Sequence, residues 1–344
     1  MQSQKIKKIL ISSSLIITLL ATTITQTTVS AETNEQIQTT NQTSNDQNSQ
    51  SASSNPDNQN QTHTLSNSYV VYGAGASDRQ ELNSVLSVKN NFKKLTATAA
   101  DYKQYIDPNG STTDDAMISS VSIVPTDPGS GIKVNVNKFN GRNNITKVTA
   151  QQYAMVAQMA GVTDVTITVS ANTPVSGESA LTGVYVAIQN DGVTLNNQNT
   201  QAANQMLGAT NDAINANKGN NDYPGKLMAA VGDTTKAINQ NRKNGKEPSK
   251  DEIQTMLNHQ LFLHGIYSET KNYEQPIVNA LIQFNNSPIS SSNDYSSHVD
   301  DTIKNVKNSS GQIMNNAKQF LNSKDGQEAQ NWFDKLVQWF KETF

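Results

Sequence analysis

Two hydrophobic periods divide the chain, and the point where one gives way to the other sets its expected architecture. Tyr69-Val70-Val71-Tyr72 reads as a strand, ended by a Gly73-Ala74-Gly75 turn. Ser77 and Gln80 then stand at capping-box spacing ahead of a helix with Leu82, Val85 and Leu86 on its apolar face. Met117 to Val124 reads as a strand, and Ile132, Val134 and Val136 alternate with polar residues in another. The turn-forming run Pro125-Thr126-Asp127-Pro128-Gly129-Ser130-Gly131 lies between them, so the pair predicts a hairpin. Thr149 and Gln152 form a second capping box, before a helix with Tyr153, Val156, Ala157 and Ala160 inward and Gly161 as its stop. Val165, Ile167 and Val169 alternate with Thr166 and Thr168 in a half-buried strand. Ser176 is placed to cap the next helix. That helix carries a large-residue stripe of Leu181, Val184, Tyr185 and Ile188, beside a small-residue stripe of Ala180, Gly183 and Ala187 that would let it sit close on a sheet.

From Asn196 the period is 3.6 and stays there. Ala203, Met206, Leu207, Ala213 and Ile214 share one face, and Leu227, Met228, Val231 and Ile238 share the next. Ser249 and Glu252 make a third capping box, ahead of Ile253, Met256, Leu257 and Leu261, and Ile277, Val278, Leu281 and Phe284 follow. The expected fold is α+β: a mixed α/β layer domain over 69–191, a helical subdomain over 192–286 packed on it or beside it, a linker from Ser287 to Asn293, and a helical tail over 294–344. Val299, Ile303, Val306, Ile313, Ala317 and Phe320 keep helical spacing in that tail until Asp325-Gly326. Its last stretch places Trp332, Phe333, Leu336, Val337, Trp339, Phe340 and Phe344 within an arc of roughly 160° at 100° per residue, an amphipathic aromatic end. Such a face suits a membrane surface, a partner's groove, the protein's own core or a second copy of itself.

The first 68 residues follow neither period. Lys5, Lys7 and Lys8 precede an apolar run from Ile9 to Leu20, and Val29-Ser30-Ala31 supplies small residues before Glu32. That is the arrangement of a secretory signal peptide over 1–31, and the run is shorter than the roughly 20 residues a spanning helix needs. Residues 32–68 are almost wholly Asn, Gln, Ser and Thr, a composition that cannot bury enough apolar surface to offset chain entropy. They read as a disordered spacer, or as a passive remnant of the leader, with His63 alone in it.

Composition narrows the chemistry. A net charge of −3 gives no basic surface for nucleic acid. The chain has no cysteine, which excludes disulfides, thiolate metal sites and cysteine nucleophiles. Gly73-Ala74-Gly75 lacks the third glycine of a dinucleotide fingerprint. Asp107-Pro108-Asn109-Gly110-Ser111 opens like a calcium loop, yet its twelfth position is Ile118 rather than glutamate. His259 and His264 are five apart, about 140° around a helix, too far to share a metal. Ser268-Glu269-Thr270-Lys271 matches Ser-x-x-Lys without its companion motifs. No cofactor is implied.

The remaining candidate is Pro174 to Gly183, a loop meeting a helix N-terminus. There Ser176, Gly177 and Ser179 could donate to an anion. The alternative is plain capping and close packing at the same residues.

Four stretches resemble the bacterial secreted family catalogued as domain of unknown function 1002. They are Tyr72-Gly73-Ala74 with its following helix, Ser119-Ser120-Val121-Ser122-Ile123 leading to Gly129-Ser130-Gly131-Ile132-Lys133-Val134, Ala160-Gly161-Val162-Thr163-Asp164-Val165, and Pro174-Val175-Ser176-Gly177-Glu178-Ser179-Ala180-Leu181-Thr182-Gly183. The resemblance runs from about Tyr69 to Phe344, is strongest from Ser119 to Ile188, and includes an aromatic amphipathic end. The polar spacer and the low charge of the helical half depart from it. It implies an exported, envelope-associated protein with no assigned activity, catalytic residue or cofactor.

Two functions are therefore in view. One is a secreted, non-enzymatic protein, free or retained at the cell surface, that binds a membrane surface, the cell wall or another envelope protein. The other is a hydrolase of wall glycan whose carboxylates converge from distant positions. N-terminal sequencing of the protein recovered outside its host is expected to begin at Glu32, and recovery of a chain starting at Met1 would contradict the leader.

Overall fold

The computed structural model describes residues 61–309, with side chains to 306. The expected signal peptide, residues 32–60 of the spacer, and the aromatic stretch from Trp332 to Phe344 lie outside the described residues. The described residues all fall within one unit of the chain, Ser53–Phe344.

The fold is α+β. Its strands are β1 (Tyr69–Gly73), β2 (Lys93–Ala97), β3 (Ser120–Pro125), β4 (Lys133–Val136) and β5 (Val165–Ser170), in the order β2-β1-β3-β5-β4. β1 pairs with β2 and β4 with β5 in parallel, while β3 runs antiparallel to both β1 and β5. The register aligns apolar side chains in rows across the strands. Leu95, Val71, Val121, Val169 and Val136 form one row, and Tyr69, Ile123, Ile167 and Val134 form the next. Tyr69, Val71, Val121, Ile123, Ile167 and Val169 are at most 1 % exposed, and each such side chain contributes about 1.5–3 kcal/mol by leaving water. Because strand side chains alternate, Val70 and Tyr72 face the other way. They join Leu82, Leu86, Phe92 and Phe139 in a smaller cluster under the short helix α1 (Arg79–Val85).

Over the larger face lies α4 (Glu178–Asn190), packed on β1, β2 and β3. Its small-residue stripe does what the sequence led one to expect. A Cβ added at Gly183 would fall 2.7 Å from Val121 Cγ1 and 3.2 Å from Val71 Cβ, so the helix rests directly on the strands. α2 (Ala99–Tyr105) packs beside α4. The helix α3 (Ala150–Met159) packs against β4, and it is enclosed from Gln152 to Met159. The helices α5 (Asn197–Ala216) and α6 (Tyr223–Lys243) pack on its other side, and α10 (Tyr295–Ser309) packs on both α3 and α6. α7 (Lys250–Leu263), the single turn α8 (Tyr267–Thr270) and α9 (Glu274–Asn285) complete the helical layer. One buried apolar cluster runs from the sheet through α3 into the helices, so the expected α/β and helical parts share a core.

Two expected capping boxes are present in full, Thr149 with Gln152 and Ser249 with Glu252. Thr98 with Asp101 adds another that sequence inspection missed, along with β2 and α2 themselves. The Ser77 cap is corrected. Asp78, in a left-handed conformation with φ 53°, precedes α1, and the Ser77 hydroxyl donates instead to the Asp78 carboxylate at 3.0 Å.

The expected hairpin of β3 and β4 is also corrected, because β5 lies between them. The intervening turn is clasped to the start of β5. Gly131 N–H donates to Asp164 Oδ1 at 2.9 Å, and Thr126 N–H donates to the Asp164 carbonyl at 2.9 Å. Burial explains the order. Val165, Ile167 and Val169 are fully buried in β5, while exposed Lys133 and Asn135 make β4 an edge.

Two stretches assigned to linkers are packed. Pro288–Ser291 forms a 3-10 turn with Ile289 fully buried. Residues 61–68 form a strap. His63 N–H donates to the Gly161 carbonyl at 2.7 Å, Thr163 N–H returns a bond to the His63 carbonyl at 3.0 Å, and Leu65 is buried. Thr62 Oγ1 donates to Asp294 Oδ2 at 2.8 Å. Asp191 then gathers Asn67 Nδ2 and Tyr69 OH, both at 2.7 Å, together with Ser66 N–H. The composition was right that the segment is polar, but its hydroxyls and amides find fixed partners.

Burial alone would push the Asp191 carboxyl up, yet hydrogen bonds from Asn67, Ser66 and Tyr69 hold it below its ordinary value. Asp294 has the same sign, with burial outweighed by Ser292, Thr62, its own N–H and His298. A folded value below the unfolded one adds stability that is present at neutral pH and lost as pH falls through the folded value. Amide exchange in residues 61–68 is therefore expected to quicken below about pH 4 ahead of global unfolding. Asp191→Ala should quicken it at neutral pH, as read by exchange mass spectrometry. Unaltered protection in both cases would contradict the clasp.

Candidate functional site

The Pro174–Gly183 segment was expected to present donors at the start of a helix, and the fold brings those residues to one place. The cap residue is Gly177 rather than Ser176, with φ 108° and no side-chain capping bond. Glycine is required there twice over. The conformation is left-handed, and an added Cβ would lie 2.5 Å from the Tyr153 hydroxyl and 2.8 Å from Ile145 Cγ2. Tyr153 OH donates to the Gly177 carbonyl at 2.6 Å, and burial pushes that phenol upward. The Ser176 carbonyl accepts from Val148 N–H at 3.1 Å, which ties the loop to the approach of α3.

Ser179 is buried and faces Ser119, with the two hydroxyl oxygens 2.5 Å apart. Ser119 Oγ also accepts from Ala180 N–H at 2.9 Å, the position an anion would take at this helix end. The Glu178 carboxylate sits in the same first turn and accepts from Tyr102 OH at 3.0 Å. Burial first, and the Glu178 charge second, push the Tyr102 phenol upward. The helix dipole thus already has its negative partner, and the first turn is capped at Ala180 from Ser119, a residue 61 positions earlier in the chain. The Ser119-Ser120 pair carried no sign of this in sequence, because nothing local marks which hydroxyl will meet a distant helix end.

Two of the four histidines, His264 and His298, are likewise structural neighbours of carboxylates. His264 is buried with Nε2 at 2.8 Å from Asp233 Oδ2, joining the end of α7 to α6. His298 Nδ1 lies 3.5 Å from Asp164 Oδ2. Asp107 Oδ1 accepts from Asn109 N–H at 3.0 Å, an ordinary turn bond rather than the start of a metal loop. Among the described residues no group of three or more histidine, aspartate or glutamate side chains is placed to hold a metal ion. No described helix is long and apolar enough to cross a membrane.

A concave feature lies elsewhere, between β4, α3 and α10. It is an open groove of about 300 Å³ with an apolar floor of Ile132, Val134, Ala154 and Val306. Lys133, Asn135, Gln151 and Asn305 supply its rim. The walls are pinned together. Asn305 Nδ2 donates to the Ser130 carbonyl at 2.8 Å and to the Ile132 carbonyl at 3.1 Å. Thr302 Oγ1 accepts from Ile132 N–H at 3.1 Å and donates to Gln158 Oε1 at 2.7 Å. The groove is therefore preformed, uncharged apart from Lys133, and able to take an apolar group flanked by hydrogen-bonding partners. Three separate elements build it, which is why no sequence motif announced it. The other expected contact residues, Trp332, Phe333, Leu336, Trp339, Phe340 and Phe344, lie outside the described residues.

A family model described as a protein of unknown function, DUF1002, matches residues 72–302. The chain is 28 % identical over 193 residues to the uncharacterized protein YpuA of Bacillus subtilis strain 168, an alignment covering 55 % of this chain and 62 % of that protein. It thus spans less than two thirds of that relative's length. No solved structure matches.

Removing the Ser119 hydroxyl would leave Ala180 N–H only its bond to the Gly177 carbonyl at 3.2 Å, and the Ser179 hydroxyl only its bond to the Ser119 carbonyl at 3.2 Å. Ser119→Ala is expected to cost about 0.5–1.5 kcal/mol in denaturant unfolding. Millimolar phosphate should leave the melting temperature of the wild-type chain unchanged, and a phosphate-dependent rise would show that the helix end is open to anions after all.

Proposed function

We propose, on the premise that the chain belongs to the DUF1002 family of proteins of unknown function, that it is an exported, non-enzymatic protein of the cell envelope. In this reading the α+β body carries a C-terminal contact segment, Trp332 to Phe344, to a membrane surface. The leader pattern of Lys5, Lys7, Lys8 and the apolar run after them supports export. The concentration of both tryptophans and three phenylalanines in the last thirteen residues supports an interfacial contact.

The observation that carries the non-enzymatic half is the fate of the polar side chains gathered where α4 begins. Ser119, Ser179, Tyr153, Tyr102 and Glu178 bond to one another or to the backbone. A nucleophile or general acid needs a polar group turned toward a substrate. Here the serines are buried and spent on capping, so the cluster serves the fold.

Co-sedimentation with liposomes and with purified cell wall tests this reading. The mature chain should sediment with liposomes, and a chain lacking residues 325–344 should stay in the supernatant with an unaltered melting temperature. Binding that survives truncation would refute the contact segment, and sedimentation with wall alone would replace the lipid surface by a wall component.

A further inference from the structure

We propose that the groove between β4, α3 and α10 is the resting seat of the chain's own C-terminal segment, Trp332 to Phe344. In the unbound state the body would then cover the rings that the proposed function turns toward a membrane. That unbound state rests on the proposed function, whereas the seat itself stands on the geometry of the groove.

Position selects the occupant. Asn305 and Val306 form one wall of the groove, and the described chain ends three residues later at Ser309. The residues between Ser309 and Asn331 can extend to roughly 70 Å at about 3.3–3.6 Å per residue, so reach does not limit docking. Tethering also gives the segment an effective concentration on the order of millimolar, which a second copy at working dilution does not match.

The chemistry of the two surfaces corresponds. The floor is apolar and continuous with the main core, and ring side chains are the largest apolar groups the chain has left to bury. A volume of about 300 Å³ is at the bottom of the range for ligand pockets, so it takes anchoring rings rather than a folded partner. The amides of Asn135 and Asn305 stand at the rim. Lys133 has no ion-pair partner among the described residues, and the segment brings Asp334 and Glu342 beside its rings, together with Lys335 and Lys341. Seating the rings also removes an exposed aromatic patch that would otherwise favour aggregation.

The chain offers its own probe. It has no cysteine, and its two tryptophans, Trp332 and Trp339, both lie in the segment. A bimane dye, quenched by tryptophan on contact, can be attached to Asn135→Cys on the rim or to Lys94→Cys on β2 at the far edge of the sheet. In the mature chain without lipid, emission at position 135 should rise severalfold when Trp332→Phe and Trp339→Phe are combined. Emission at position 94 should not change. Ala150→Arg, which crowds the groove from α3, should also restore emission at 135 without altering the melting temperature.

Equal emission at 135 with and without tryptophan would overturn the seat. So would quenching that appears only as protein concentration rises, which would assign the groove to another copy. A bright dye at 135 in a chain that still needs residues 325–344 to bind liposomes would sink the seat and leave the proposed function standing. Quenching at 135 in a chain that binds no membrane would do the reverse.

Discussion

The layers of this fold are arranged around a helix that is buried along all but its first two residues. From Gln152 to Met159, α3 is enclosed by β4, α5, α6 and α10. A helix buried all round must be apolar all round, or must find partners for each polar atom it carries inward. Gln152 meets that requirement, Gln158 meets it only at its oxygen because its Nε2 is buried without a hydrogen-bond partner, and both join the layers. Gln152 belongs to the capping box at one end and donates to Thr210 Oγ1 and Asn211 Oδ1 of α5, both at 2.9 Å. Gln158, near the other end, accepts from Thr302 of α10. The two amides fix where the helical layer sits on the sheet. The apolar cluster that runs through α3 then makes one cooperative unit of what sequence periodicity had divided at about Asp191.

Local physics was legible in the sequence and long-range pairing was not. The capping boxes at Thr149 and Ser249, the small-residue stripe of α4 and the helical faces from Ala203 to Phe284 all follow from spacing over a few residues. The order of strands does not. The turn residues from Pro125 to Gly131 specify a reversal of the chain but not the width of the gap it crosses. That gap is set by Asp164, whose carboxylate and carbonyl hold the turn from the start of β5. Composition misled at residues 61–68 for a related reason. Asn, Ser and Thr favour solvent on average, yet Asp191, Asp294 and the Gly161 carbonyl were waiting with complementary groups.

The candidate sites divide the same way. Ser176, Gly177 and Ser179 were recognisable as a special junction because a glycine and two serines precede an apolar helical run. Their role depends on Ser119 and Tyr153, which the fold delivers from other elements. The groove beside β4 had no signature at all, since β4, α3 and α10 each supply only part of it.

The strap of residues 61–68 has a mechanical consequence. Were the polypeptide ahead of it held fast at one end and the body dragged at the other, tension would reach Thr62 and His63 before it reached β1. The bonds from these residues to Asp294 and Gly161, and from Thr163 back to His63, would carry the load first, and the Asp191 clasp next. They could part and re-form while the sheet stayed whole, a sacrificial link shielding the core from pulling.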